Sequence, residues 1–199
     1  LHTVVLKDIS KIDSGKAEGK IPVIGMIQAD RHEVFTGRGS IKGGLFTPDS
    51  EYSKLCVFER HRGTGNAAAA PIKGYGITNG AIATSVAHDS HNIIAAGDND
   101  EDIIKAVQTI EEIQGGYALV SEGKVLGTLP LTVAGLLSQK PAKDIQKGID
   151  ELLQKAWKLG ISRDIDPFIT LSLWHFSDPS LRLTDLGLVD VDTFQLLKS

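Results

Sequence analysis

Apolar and polar positions in this chain follow two periods, and the changes from one to the other mark the elements. Thr3–Ile9 and Ile21–Ile27 are short apolar runs divided by Asp13-Ser14-Gly15 and Glu18-Gly19, which predicts two strands with turns between them. Gly37 to Gly44 is glycine-rich and predicts a loop, because Gly forfeits about 1 kcal/mol per helical position relative to Ala. Leu55, Cys56, Val57 and Phe58 form the buried run of a strand over Lys54–Arg60.

Ile72–Thr78 and Ala81–His88 flank Asn79-Gly80, a dipeptide favoured in two-residue hairpin turns, and a hairpin is the expectation. In the second strand Ile82, Thr84, Val86 and His88 would share one face and Ala81, Ala83, Ser85 and Ala87 the other. Asn92–Ala96 predicts another strand after a break at Asp89-Ser90.

The period then lengthens. Asn99 with Asp102 three residues on has the form of a capping box, and Ile103, Val107 and Ile110 make the stripe of a helix that stops at Gly115-Gly116. Tyr117–Ser121 and Lys124–Leu129 predict a hairpin about Glu122-Gly123. A longer helix starts near Pro141, carries Ile145, Ile149, Leu152, Leu153 and Ala156 on one face, and closes at Gly160. Pro167–Leu173 reads as a last substantial strand ahead of a short polar tail. Hairpins joined by few helices predict an α+β fold, mostly antiparallel, with helices packed on the sheet faces and residues 1–199 forming one domain.

Composition narrows the function classes. With 41% hydrophobic and 23% charged residues in 199, the chain can bury a core without staples. A net charge of −4 and no dense Lys/Arg cluster argue against nucleic acid. Cys56 is the only cysteine, so neither an intrachain disulfide nor a cysteine-rich zinc site can form. No apolar stretch approaches the ~18 residues of a membrane span, and nothing resembles a signal peptide, so a cytoplasmic location is expected. The chain begins at Leu1 and its one methionine is Met26, which suggests a piece of a longer polypeptide.

His88-Asp89-Ser90-His91-Asn92 is the one dense cluster of reactive side chains. Imidazole beside carboxylate suits a general base or a fixed tautomer, yet Asp, Ser and Asn also serve turns by bonding their own backbone. Two histidines add nothing to a turn. Cys56, His61 and Asp98 could join His88 and His91 as metal ligands, but their spacing does not demand it, and no metal is expected in this chain. Ser90 lacks the G-x-S-x-G elbow of a hydrolase nucleophile. The glycines of Gly74 to Gly80 are one residue out of step with a dinucleotide fingerprint, and no cofactor-binding residue is assigned. Gly63-Thr64-Gly65-Asn66 could cradle an anion on its amides or be a plain loop. Glu59-Arg60-His61 ends a strand, where Arg60 could clamp a carboxylate or phosphate or else be solvated.

Gly80 to Ile94, with the histidine block inside it, resembles the signature of the C-terminal domain of adenine deaminases. Val57 to His61, Gly97 to Asp102, Leu129-Pro130-Leu131, Ala134 to Ser138, Pro167 to Ser172 and Leu183 to Leu188 extend the resemblance in the same order. Two stretches depart from it: Trp174 to Pro179 is more polar, and Ala67–Ala70 plainer, than the family pattern.

The resemblance implies a parent enzyme that hydrolyses adenine to hypoxanthine and ammonia. Its dinuclear Mn or Fe centre would lie in a preceding barrel whose first ligands are an H-x-H pair. No H-x-H occurs here, nor the H-x-E…P-C-x-x-C of zinc deaminases. The implied partners are therefore the catalytic barrel of the same polypeptide and adenine in the parent; a homo-oligomer is also expected. His88, Asp89, His91, Asn92, Arg60 and His61 are the candidates to face that barrel or its substrate. A purely structural or oligomerisation module, and an independent ligand-binding protein built on the His88–Asn92 block, remain open alternatives.

Overall fold

The computed structural model describes residues 18–25, 38–49, 51–88, 90–173 and 181–197. Thr3–Ile9, Asp89 and the Trp174–Pro179 stretch lie outside them. The expected α+β architecture is present. Seven strands form the main sheet: β2 (Ile24–Gly25), β4 (Tyr52–Phe58), β5 (Ala67–Lys73), β6 (Ala81–Thr84), β7 (Ile93–Gly97), β8 (Gly116–Ser121) and β9 (Lys124–Pro130). Their spatial order is β2-β5-β4-β7-β6-β8-β9, and every pairing except β2 with β5 is antiparallel. A two-stranded sheet joins β1 (Glu18–Pro22) to β3 (Arg38–Lys42). A three-stranded one joins β10 (Leu181–Thr184), β11 (Gly187–Asp190) and β12 (Gln195–Leu196).

Continuous apolar runs in β4 and β7 arise because helices cover both faces of the main sheet. Cys56, Phe58, Ala81, Ala83, Ile93 and Ala95 meet the Ile103, Ala106, Val107 and Ile110 stripe of α1 (Asp100–Glu112). Leu55, Val57, Ile82, Ile94 and Leu119 meet Leu152 and Ala156 of α2 (Ala142–Lys158) and Phe168 and Leu171 of α3 (Pro167–Ser172). The α1 side is packed tightly enough to exclude a methyl group. A Cβ on Gly97 would lie 2.8 Å from Ala81 Cβ, from Gly80 O and from Ile103 Cγ1.

Several elements differ from the sequence reading. Glu18-Gly19, expected as a turn, opens strand β1, and the run from Ile21 divides between β1 and β2. Asn79-Gly80 does not close a hairpin between neighbours: β6 pairs with β7 and β8, while β4 and β7 both lie between it and β5. Asn79 does take the left-handed conformation (φ 53°), but the turn is held by Asp98, whose carboxylate accepts the N–H groups of Asn79 and Gly80. The strand before it is Ala67–Lys73, so the four alanines are the start of β5.

Residues 167–173, read as a strand, form helix α3. The Asp166 carboxylate accepts from Phe168 N (2.9 Å) and Ile169 N (3.0 Å), and Pro167 opens the helix. Period-2 alternation would bury Ile169 and Leu173, the very two that stay exposed, whereas the helix buries Phe168 and Leu171.

The glycine-rich loop contains strand β3, which ends in a turn at Gly43-Gly44 with φ of 61° and 75°. Past α3, the expected polar tail contains β10, β11 and β12.

The predicted capping box is also modified. Asn99 Oδ1 accepts Asp102 N at 2.8 Å as expected. The Asp102 carboxylate, 2% exposed, turns to the β8–β9 turn instead, accepting Glu122 N (3.0 Å) and Gly123 N (2.7 Å).

Candidate functional site

The strand register gathers the reactive residues. Phe58 pairs with Ile93, Thr84 with both Ile94 and Tyr117, and Gly116 with Pro130. Hence 59–66 after β4, 85–92 after β6 and 131–138 after β9 all emerge at one end of the sheet. The β6 strand stops at Thr84, so the face alternation predicted as far as His88 does not hold. His88 to Asn92 instead forms a turn: His91 N donates to Ala87 O (2.8 Å) and Ser90 N to His88 O (2.9 Å). His91 is left-handed at φ 49°, uncommon for a residue with a β-carbon.

Arg60 holds this end together. Expected either to clamp an anion or to be a solvated strand end, it is 6% exposed and binds backbone. Its Nε–H donates to His91 O, and its Nη2 donates to Ala134 O at 3.0 Å. Burial pushes the guanidinium pKa down. Gly135, beside Ala134, lies so close to Arg60 that a Cβ there would meet Nη1 at 3.1 Å. Ser85 supplies a second staple, its Oγ accepting Gly116 N (2.8 Å) and donating to Gly135 O (2.5 Å).

The anion cradle considered at 63–66 is filled from within. Glu59 Oε1 accepts the N–H groups of His61 and Arg62, and Oε2 accepts Thr64 N and Thr64 Oγ1, both at 3.0 Å. Burial pushes this carboxyl up, but the donors of Thr64, Arg62 and His61 outweigh it and lower the pKa from 4.5 to about 2.

The remaining candidates divide. His61 Nε2 lies 2.9 Å from Ser90 O; a carbonyl can only accept, so the proton sits on Nε2. Ser90 Oγ accepts Asn92 N at 3.3 Å. Asn92, 5% exposed, reaches Asp185 at 3.4 Å, and the same carboxylate accepts Asn66 Nδ2 at 3.2 Å. Asp185 thereby ties the β10–β11 turn to the site. Sequence reasoning passed over its role, and the only signal was its place inside a block resembling the family. His88 donates its backbone N–H to Ser172 O (2.9 Å), which sets α3 against the turn, and its side chain is exposed. The Nδ1 atom of His91 is buried without a hydrogen-bond partner.

The metal alternative fails on placement. Cys56 faces α1 in the core, with burial pushing its thiol up to about 12, and Asp98 caps a turn at the opposite end of the sheet. Among the described residues no three His, Cys, Asp or Glu side chains converge as a metal ligand set.

Comparison with known proteins assigns the chain to a family. Residues 33–195 match the adenine deaminase C-terminal domain. Over 98% of its length the chain is 42% identical to adenine deaminase 2 of Carboxydothermus hydrogenoformans, covering 35% of that protein. It is 51% identical to adenine deaminase of Nitratidesulfovibrio vulgaris over 76% of the chain and 27% of that protein. With adenine deaminase of Dehalococcoides mccartyi it shares 44% identity over 96% of the chain and 34% of the relative. The chain thus spans about a third of the length of these relatives. It belongs to the adenine deaminase C-terminal domain family.

Proposed function

We propose that this chain is the C-terminal domain of a cytoplasmic adenine deaminase of purine salvage, which hydrolyses adenine to hypoxanthine and ammonia. Support for the activity comes from the relatives, which bear that name at 42–51% identity. One geometric observation carries the domain's role: Arg60 locks the histidine turn and the 131–138 loop into one rim, with His88 left exposed. That rim orders the active-site boundary of a preceding barrel and positions its loops.

A dinuclear Mn or Fe centre implied for the parent does not fit the described residues. The Glu59 carboxylate is taken up by four donors, and among the described residues no carboxylate ligand set lies beside the histidines. Such a centre belongs to the preceding barrel. Adenine and that barrel are the partners of this reading, in a homo-oligomeric parent.

The test is ammonia release from adenine with added Mn²⁺ by the full-length polypeptide. His88→Ala or His91→Ala should reduce kcat by about 100-fold at unchanged metal content, the size expected for a misplaced neighbour of the chemistry. The 199-residue chain alone should give no turnover and hold no stoichiometric metal. The structural-module reading draws on the hydrogen-bond network through the Ser90 and His91 carbonyls and the Asp185 carboxylate. It prevails if both variants melt early and turn over normally.

A further inference from the structure

Of the four asparagines in the chain, three have their carboxamides tied down. Asn66 and Asn92 donate to Asp185, and Asn99 caps α1 by accepting Asp102 N. The fourth, Asn79, is exposed, and among the described residues its carboxamide has no hydrogen-bond partner. It is also the only asparagine followed by glycine. Packing forces that glycine, since a Cβ at 80 would lie 2.5 Å from Val120 O and 3.0 Å from Leu159 Cδ1. A glycine nitrogen has no side chain beside it to keep a preceding carboxamide carbon away. What restrains this one is Asp98. The Asp98 carboxylate accepts Gly80 N at 2.9 Å and also Asn79 N, while its own N–H donates to Gly80 O at 3.2 Å. An anion bonded to the Gly80 N–H holds the proton on nitrogen and opposes the negative charge that attack would require.

We infer that Asn79-Gly80 is a self-modification site, a deamidation point for which Asp98 is the latch. When the latch opens, the Gly80 nitrogen bonds to Asn79 Cγ and the Cγ–Nδ2 bond breaks. Ammonia leaves with the proton that Gly80 gave up. Water, the only co-reactant, then opens the cyclic imide at either carbonyl, leaving an aspartyl or an isoaspartyl linkage at position 79. Both products place a second carboxylate beside Asp98, where like charges repel. The isoaspartyl product also lengthens the main chain by a carbon, so the two N–H groups no longer fit one carboxylate. The latch therefore opens one way. The site lies at the other end of β6 from the histidine turn, and the inference stands apart from the deaminase reading.

Peptide mapping by mass spectrometry on the full-length polypeptide, incubated at pH 8, tests the site. The mass gain of an amide turned to an acid should appear at Asn79 ahead of Asn66, Asn92 and Asn99. Asp98→Ala should speed it about tenfold, the factor that goes with loss of a hydrogen bond to a charged group. Wild type unfolded in urea should react faster than native wild type by at least that factor. This second comparison decides the matter even where Asp98→Ala does not fold. Equal rates in native and unfolded wild type overturn the inference, as does a folded Asp98→Ala variant that reacts no faster. Earlier modification at another asparagine, or none at Asn79 in urea, overturns it too.

Discussion

Arg60 donates to the carbonyl of His91 across 31 residues of sequence, and the residue it grips is left-handed. Its second carbonyl partner, Ala134, is left-handed too, at φ 57°. A left-handed conformation costs a residue with a β-carbon about 1–2 kcal/mol, and a hydrogen bond from a charged donor contributes about 1.5–3 kcal/mol. One guanidinium therefore offsets strain in two turns at once.

Arg60→Lys tests this balance. An ammonium lacks the rigid fork needed to reach both carbonyls, and the variant should lose about 1–3 kcal/mol of stability in urea unfolding. Amides of 88–92 and 131–138 should exchange faster than those of β4. Uniform acceleration across the sheet would show that Arg60 supports the core and not the two turns.

Acid should act through Glu59. Its folded pKa, about 2, lies below the ordinary 4.5, so its contribution is fully present above about pH 4.5 and is lost as pH falls toward 2. Glu59→Gln removes the charge at every pH. The gap in urea midpoint between wild type and Glu59→Gln should hold steady from pH 7 to 5 and narrow from pH 4.5 to 3. A gap that widens in acid would contradict the assignment.

Much of this was visible in the chain's pattern, and the failures share a cause. Strand β4 and the stripes of α1 and α2 were legible because period and burial agree there. The 167–173 segment was misread because Ile169, Leu171 and Leu173 satisfy a period of two as well as Phe168 and Leu171 satisfy a helix. The deciding signal, Asp166-Pro167, is local capping chemistry. Partner choice for β6 was illegible at Asn79-Gly80, since the pairing is decided by Asp98 and by small residues facing α1, both set by tertiary contact. The histidine turn stood out by composition, but Arg60's attachment to two carbonyls left no trace in sequence, because any residue supplies a carbonyl.

Asp166→Ala isolates the capping term. Losing both side-chain bonds to Phe168 N and Ile169 N should cost about 1 kcal/mol, read as a lower Tm. Exchange at Leu171 to Leu173 should quicken with it. An unchanged Tm would mean that burial of Phe168 and Leu171 alone holds α3.

Cys56 should be inert in the native state. Burial pushes its thiol up to about 12; Lys54 works against that and Asp100 adds to it. Labelling by a thiol-specific disulfide reagent at pH 8 should be undetectable in native protein and stoichiometric in urea. Prompt native labelling would place the side chain elsewhere than under α1.

The absence of room at Gly97 makes α1 a strut. The helix is seated without slack against β6 and β7 where it begins, and its first turn grips Glu122 and Gly123 through Asp102. About 20 Å further on, at 1.5 Å per residue, it delivers Gly115 and Gly116 to Ser85 and thence to Gly135. A rigid member fixed at both ends passes a push along its axis with little loss. A methyl group added at Gly97, pressing on Ile103 of that helix, would therefore be felt as a shift of the 131–138 loop at the far end of the sheet.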